Sequence, residues 1–471
     1  MKVCVIGTGY VGLTTGVVLA YLGHQVIGVD KDTAKIGMLL RRKSPIREFG
    51  LENLMELAWS NLSFSTSTVE SVQDADIIII AVGTPSRING GADTDYVETA
   101  AGEIAQGMKP DSAYTVVIKS TVPVGTNKHV SGVVRKVLED RGIRDTISVG
   151  FVSNPEFLRE GMAVNDTLYP DRIVVGAETL EQADSVRRLY RPILEQTFEP
   201  PPNLPRPGHY RLPPFISTDP ASVEMTKYAA NAFLALKISY INEIAGLCEK
   251  AGADVIEVAR GIGLDTRIGP GCLSAGIGWG GSCLPKDTSA LLAASKDHGY
   301  SMPIIEAARA INERQRLVII EKTRCALKDI RGKTIGILGL SFKPGTDDVR
   351  DSPAIDLVRV FSRLEAHIRV QDPLALENAR ALLDVAVGPG IEYFQDPFQL
   401  ALGADALVLA TDWPEYSRLD WARLARVMRL PVIVDGRNLL DPKEMRLAGW
   451  IYTGVGRPIH SDCSSQCRGG A

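Results

Sequence analysis

Val3-Cys4-Val5-Ile6-Gly7-Thr8-Gly9-Tyr10-Val11-Gly12 carries an apolar, strand-like run straight into a glycine-spaced turn, and a helix-like segment to Leu22 follows. A second apolar run ends at Asp30, 18 residues after Gly12. Strand, glycine turn, helix, strand and acid in this order make a dinucleotide-binding βαβ unit: the first glycine turns the chain, the second admits a pyrophosphate, and the third lets the helix pack on the strand. A bare glycine triplet says little; the strand before it and the helix after it give this one its meaning. A carboxylate at the position of Asp30 holds a ribose 2′-hydroxyl and repels a 2′-phosphate, so NAD is expected rather than NADP.

Further along, Ile77–Val82, Tyr114–Ile118, Ile147–Val152 and Arg172–Val175 are continuous apolar runs, the signature of parallel strands covered on both faces. Between Gln196 and Phe215 the pattern collapses into a stretch with seven prolines from 200 to 214, a surface loop or linker. Thr218 or Asp219 can then cap a helix with Pro220 in its first turn, and the chain runs to Ala251 with Gly246 as its single breaker. This segment is apolar nearly all round, which predicts a buried central helix or a subunit interface. Glu224, Lys227 and Asn231 share one face of it, and buried polar groups of this kind need partners. They form either an internal ion pair with a capped amide or a cleft that meets a substrate oxygen.

A second α/β pattern begins near Arg331, with Thr334-Ile335-Gly336-Ile337-Leu338-Gly339-Leu340 as its opening strand and turn. It echoes the first: Gly7 precedes an Asp76-led apolar run by 69 residues, and Gly339 precedes an Asp405-led one by 66. The expected fold is α/β, two Rossmann-like doubly wound sheets joined by a long central helix and a helical dimerisation region. The expected parts are 1–198 for the dinucleotide, 199–214 as the proline-rich loop, 215–328 as the central helical domain, 329–458 as the second Rossmann-like domain, and 459–471 as a disordered tail.

Residues 276–287, Gly-Ile-Gly-Trp-Gly-Gly-Ser-Cys-Leu-Pro-Lys-Asp, deliver one thiol, Cys283, to the mouth of a helix expected to begin near Pro285. Outward-pointing helix amides favour negative charge, so a cysteine there ionises more readily than a free one. The alternative is a tight turn with a core thiol, but structural cysteines are usually buried among aliphatics, without such a glycine setting.

A formal charge of −4 supplies no basic field, which argues against nucleic acid as a partner. No apolar run reaches the length of a membrane span, and the opening strand at Lys2 leaves no room for a secretory leader, so a cytoplasmic protein is expected. Seven cysteines scattered through 471 residues fit reduced thiols better than a disulfide framework. Neither a metal nor a redox role is expected of Cys463 and Cys467 in the tail.

Taken together, Gly7-Thr8-Gly9-Tyr10-Val11-Gly12, Gly83-Thr84-Pro85, the run Lys119–Thr126, the run Ser153–Gly161, the thiol loop, Phe342-Lys343-Pro344 and Asp435-Gly436-Arg437-Asn438 resemble the UDP-glucose/GDP-mannose dehydrogenase family over nearly the whole chain. Pro170–Gly176 and Thr411–Glu415 look most like its UDP-glucose branch. The resemblance implies a four-electron oxidation of the C6 alcohol of UDP-glucose with two NAD, through a thiohemiacetal and a thioester on Cys283. It implies that Lys227 and Asn231 face the C6 oxygen, that Asp287 holds water and orients Lys227, and that Glu156 and Thr121 complete the proton network. For NAD it implies Gly7, Gly9, Tyr10, Val11, Gly12, Asp30, Lys35, Thr84, Thr121 and Glu160, with Lys286 and Arg350. For the sugar nucleotide it implies Phe157, Leu158, Lys227, Asn231, Cys272, Leu273, Ser274, Ala275, Gly276, Gly280, Lys343 and Arg437. Arg267 matches an arginine that reaches a neighbouring subunit's substrate, so a homodimer or higher homo-oligomer is expected. Arg47-Glu48-Phe49-Gly50, Trp279 and Leu284 depart from the family pattern and bear on pocket shape. The rival expectations are oxidation of UDP-N-acetylmannosamine or GDP-mannose by the same chemistry, and a non-catalytic sugar-nucleotide sensor.

Overall fold

The computed structural model describes residues 1–388 and 390–458. The tail with Cys463 and Cys467 lies outside the described residues. The chain divides into two compact units, one of Met1–Ala230 with Ser289–Asp297, the other of Asn231–Thr288 with the described residues from His298 on.

The first unit is built on eight strands: β1 (Lys2–Ile6), β2 (Gln25–Val29), β3 (Leu62–Ser65), β4 (Ile77–Ile80), β5 (Ala113–Ile118), β6 (Ser148–Ser153), β7 (Ile173–Ala177) and β8 (Phe215–Thr218). Their order, β3-β2-β1-β4-β5-β6-β7-β8, begins with the doubly wound 3-2-1-4-5-6 arrangement. The apolar runs were expected to lie parallel, and all pairs do except β6 with β7, which meet antiparallel at Val152↔Ala177 and Ser153↔Gly176. The uninterrupted apolar strands follow from burial on both faces: Val3, Val5, Ile77 and Ile79 enter one core, while Cys4, Ile6, Ile78 and Ile80 enter the other. Burial pushes the Cys4 thiol up to about 12, as an inert core group.

The second unit carries β9 (Thr334–Leu338), β10 (His367–Gln371), β11 (Ile391–Tyr393), β12 (Ala406–Leu409), β13 (Val432–Asp435) and β14 (Ile451–Gly454). Its order, β11-β10-β9-β12-β13-β14, repeats the arrangement of the first six strands. The sequence echo has a common physical cause. Asp76 Oδ2 accepts a hydrogen bond from the Lys2 amide and Asp405 Oδ2 one from the Thr334 amide, so each acid clamps the start of its central strand to the neighbouring one. Gly7 and Gly339 both have positive φ, at +97° and +91°, and a Cβ on either would strike Ala81 or Thr411 just past β4 or β12. Close strand-end contact, rather than ligand chemistry, therefore accounts for the shared acid and the shared glycine.

The proline-rich stretch packs on the first unit. Tyr169 Oη donates to the Leu204 carbonyl (2.8 Å), Tyr210 Oη to the Pro170 carbonyl (3.0 Å) and Tyr21 Oη to the Glu199 carbonyl (2.7 Å). Leu204 is buried against Gly50. After β8 the long helix Pro220–Ala251 begins, with Asp219 Oδ1 accepting from the Ser222 amide, so Asp219 rather than Thr218 is its cap. The helix is less enclosed than its composition suggests: Phe233, Leu234 and Leu247 are exposed.

Candidate active site

In the first unit the glycine turn follows β1, at the point where strand order reverses. A Cβ on Gly12 would lie 1.9 Å from the Gly7 carbonyl oxygen, so helix and turn touch backbone to backbone. A Cβ on Gly9 would meet nothing within 4 Å, which leaves open space where a pyrophosphate approaches a helix N-terminus. Asp30, just past β2, accepts from the Thr8 amide (2.9 Å) and hydroxyl (2.8 Å) through Oδ2 and from the Asp32 amide through Oδ1 (3.0 Å). Burial pushes its carboxyl up, but these hydrogen bonds and the Lys35 ammonium at 3.8 Å outweigh it and hold the group below the ordinary carboxylate value. Tyr10 and Val11 open the helix, and the buried Thr84 donates to the Thr121 carbonyl (2.8 Å). These residues fit an NAD cradle with an ionised ribose acceptor.

The second copy of this turn has closed. Asp372, just past β10 as Asp30 is past β2, is 1% exposed and accepts from the Leu340 and Ser341 amides and the Trp413 indole. An acid so enclosed has no lone pair to offer a ribose.

Past β5 and β6, the same unit gathers polar groups. Lys227 Nζ lies 3.0 Å from Glu156 Oε1, with side chains 4% and 7% exposed, and 5.4 Å from the centre of the Phe157 ring. Glu156 Oε2 accepts from the Leu158 amide (2.6 Å). Thr121 and Lys227 line one small recess together with Ser120, Ser153 and Glu224. Glu224 is buried one turn before Lys227; burial pushes its carboxyl above the ordinary value, against hydrogen bonds from the Asn127 and Gly125 amides and Ser153. The buried Glu160 precedes Gly161, whose amide, with that of Ala163, donates to Glu48. Glu48 thus has a structural use within the departing Arg47–Gly50 segment.

In the second unit the helix Leu284–Asp297 starts at Leu284, one residue before the expected Pro285, and the Cys283 carbonyl accepts from the Asp287 amide (2.8 Å). Cys283 is exposed, with Ser282 Oγ 3.5 Å from its sulfur. Asp287, 1% exposed, accepts from Asn231 Nδ2 (2.6 Å) and pairs with Lys286 Nζ (2.5 Å). The structure therefore brings Glu156, Phe157, Thr121 and Lys227 together in one unit, and Asn231, Lys286, Asp287 and Cys283 in the other.

The loop before the thiol is held by groups that sequence reasoning missed. Asn242 Oδ1 accepts from the Gly276 amide (2.8 Å); Asn312 accepts from the Trp279 amide (2.7 Å) and donates to its carbonyl (3.0 Å). The signal available was an amide on each of two long helices, with partners more than thirty residues away. Arg437 is half-buried and gives Nε, Nη1 and Nη2 to the carbonyls of Ala410, Gly278 and Phe342, stapling the loop to the ends of β12 and β13. Leu273 and Ala275 put their side chains in the core, Cys272 has φ +61°, and Ser274 is exposed. Gly280 packs on the Asp351 carbonyl and Pro353, and Lys343 is half-buried. Arg350 is paired with Asp348 (2.6 Å), and Arg267 with Asp265 (2.6 Å) at the surface.

A glycine cradle with an ionised acid past the second strand, at the switch point of a doubly wound sheet, defines an NAD-dependent oxidoreductase class. Comparison with known proteins supplies the particular family. Residues 1–194 match the NAD binding domain of the UDP-glucose/GDP-mannose dehydrogenase family, 221–314 its central domain and 336–442 its UDP binding domain. The chain is 43% identical over 460 residues to UDP-glucose 6-dehydrogenase TuaD of Bacillus subtilis, covering 97% of this chain and 93% of that one. It is 43% identical to the UDP-glucose 6-dehydrogenase of Rhizobium meliloti, covering 97% and 100%. A UDP-glucose dehydrogenase structure from Pyrobaculum islandicum superposes with a TM-score of 0.84 at 36% identity, over 97% and 98% of the two chains. A UDP-D-ManNAc dehydrogenase structure from Pyrococcus horikoshii does so with 0.82 at 26% identity, over 97% and 99%. The chain belongs to the UDP-glucose/GDP-mannose dehydrogenase family.

Proposed function

We propose that this protein oxidises the C6 alcohol of UDP-glucose to a carboxylate, consuming two NAD and one water and giving UDP-glucuronate, two NADH and three protons. Bound NAD supplies the acceptor for the pair of electrons removed in each stage. Cys283 carries the reading: among the described residues it is the one exposed cysteine, and it heads a helix. Its thiolate adds to the C6 aldehyde, so the carbon again bears an alcohol-like oxygen and a removable hydrogen. Loss of that hydrogen with two electrons leaves a thioester, and water displaces the sulfur to free the acid.

Lys227 and Asn231 stabilise the negative oxygen at C6, and Lys227 shuttles its proton, the neutral amine accepting it and the ammonium returning it. Glu156 is the base for the water, Asp287 holds that water, and Thr121 completes the relay. The Gly7–Gly12 turn, Asp30, Lys35, Thr84, Glu160, Lys286 and Arg350 serve NAD. Phe157, Leu158, the Cys272–Gly276 stretch, Gly280, Lys343 and Arg437 serve the sugar nucleotide. The expected division into dinucleotide, central and sugar-nucleotide domains, with a proline-rich loop at 199–214, belongs to the same reading. So do a cytoplasmic location, where thiols stay reduced, and a homodimer or higher homo-oligomer in which Arg267 reaches a neighbour's substrate. Among the described residues no helix is long and apolar enough to cross a membrane.

Identity favours UDP-glucose over UDP-N-acetylmannosamine, since the UDP-glucose relatives are 43% and 36% identical and the ManNAc enzyme 26%. The test is NADH formed per sugar nucleotide consumed, with UDP-glucose, UDP-N-acetylmannosamine and GDP-mannose offered separately. Two NADH per UDP-glucose, with the other two sugars slower, is expected. One NADH per UDP-glucose, or none, overturns the reading.

A further inference from the structure

We propose that Glu224 is a positioning residue for turnover, its buried carboxylate locking the turn that carries Thr121 to the helix that carries Lys227. The proposal rests on the reading that Thr121 and Lys227 serve the reaction, and it adds to that reading a residue whose two carboxylate oxygens are both engaged by donors of the protein itself. Glu224 is 4% exposed and lies one helical turn before Lys227. Its Oε2 accepts from the Gly125 amide (2.7 Å), and its Oε1 from the Asn127 amide (2.8 Å) and the Ser153 hydroxyl (3.4 Å). Asn127 Nδ2 in turn donates to Ser153 Oγ (3.1 Å).

The amides concerned open the helix Thr126–Asp140, whose N-cap, Gly125 at φ +96°, has no side chain with which to cap it. A local serine or aspartate could satisfy those amides cheaply, but neither suits a positive φ. The capping oxygens come instead from the helix that bears Lys227. Cap and ammonium therefore move as one body. Thr121 sits four residues before Gly125, and the Thr84 hydroxyl fixes its carbonyl (2.8 Å), so the segment between has little slack. Ser153, the third donor, closes β6, three residues before Glu156. One carboxylate thus ties together the three chain segments that hold Thr121, Glu156 and Lys227, at the wall of the recess that Thr121 and Lys227 line.

Glu224→Gln keeps the volume but turns an NH₂ toward one of the two amides, which must separate. A shift on the order of 1 Å at a reacting group lowers kcat by about 10- to 100-fold, and because both Glu224 oxygens are engaged by protein donors, both KM values are expected to stay within about twofold. Val130→Ala serves as the stability control: it truncates a fully buried side chain of the same helix without touching the carboxylate. It should lower Tm yet leave the kcat of the folded enzyme within about twofold of wild type. Ser153→Ala removes one donor, and about a threefold fall in kcat at unchanged KM is expected; it decides the matter if Glu224→Gln does not fold. Wild-type kcat in Glu224→Gln and Ser153→Ala, a loss confined to KM, or equal losses in Glu224→Gln and Val130→Ala at matched Tm would overturn the proposal. If the wild type fails to oxidise UDP-glucose, the functional reading and this proposal fall together; if it succeeds and Glu224→Gln and Ser153→Ala are unimpaired, this proposal falls alone.

Discussion

Adding one methyl group at Gly280, three residues before the thiol, should separate positioning of Cys283 from its chemistry. A Cβ built there lies 2.1 Å from the Asp351 carbonyl oxygen and 2.8 Å from Pro353 Cδ, and neither neighbour is the end of a flexible side chain. Two backbones must part by about 1 Å before the contact is tolerable. Asp351 is already at φ +48°, and the adjacent Gly281 amide donates to the Arg350 carbonyl (3.1 Å), so the displacement passes into the thiol loop rather than into solvent. Overpacking of this kind costs about 1–3 kcal/mol, and a misplacement near 1 Å lowers kcat about 100-fold. Gly261→Ala adds the same methyl where nothing lies within 4 Å, inside the helix Val255–Gly263. That variant should gain up to about 1 kcal/mol and keep its activity. The assays are thermal melts, NADH release with UDP-glucose, and the rate of alkylation of Cys283. Gly280→Ala with kcat within twofold of wild type, or with an unchanged alkylation rate, would refute the argument that this contact sets the thiol's place.

The remaining expectations concern charge and sulfur. Cys283→Ser should abolish carboxylate formation while UDP-glucose still binds by calorimetry; undiminished turnover would rule out the thioester route. Lys227→Met or Glu156→Gln alone strands a buried charge and should cost about 3–5 kcal/mol in denaturant melts, whereas the double variant recovers most of that stability without recovering activity. A double variant no more stable than the singles would show that the pair is not coupled. Asp30→Asn should raise the KM for NAD and narrow its preference over NADP. Because the folded-state pKa of Asp30 is depressed, its ionised form contributes stability above the unfolded value of about 3.9, and this is lost as pH falls through the lower folded value. The stability gap between wild type and Asp30→Asn should therefore close below about pH 4; a pH-independent gap in acid melts contradicts this.

The two sheets show how one pattern supports different chemistry. Both keep the acid clamp and the positive-φ glycine, since strand ends at a switch point must approach closely whatever binds there. They part at the acid after the second strand, where Asp30 answers to Thr8 and the Asp32 amide while Asp372 is closed over by Trp413. The substitution that closes it comes forty-one residues later in the chain and so escapes any reading of the turn alone.

The sequence by itself determined what periodicity and stereochemistry encode locally. Apolar runs without alternation required sheets covered on both faces, the glycine spacing required a turn only glycines can make, and Pro220 with Asp219 opened the long helix. It also pointed to Cys283, Lys227 and Asp30, because a thiol among glycines, a lysine on an apolar helix and an acid after a strand are locally odd. Tertiary structure alone decided which carboxylate answers which donor: Glu156 with Lys227, Asp287 with Asn231, and Glu224 with the Thr126 helix, across separations of 71, 56 and about a hundred residues. It alone decided that β7 runs antiparallel and that the proline-rich stretch lies down on the first unit. Hydrogen bonds are short and directional, so their partners are fixed by where the folded backbone places them, and no spacing along the chain records that.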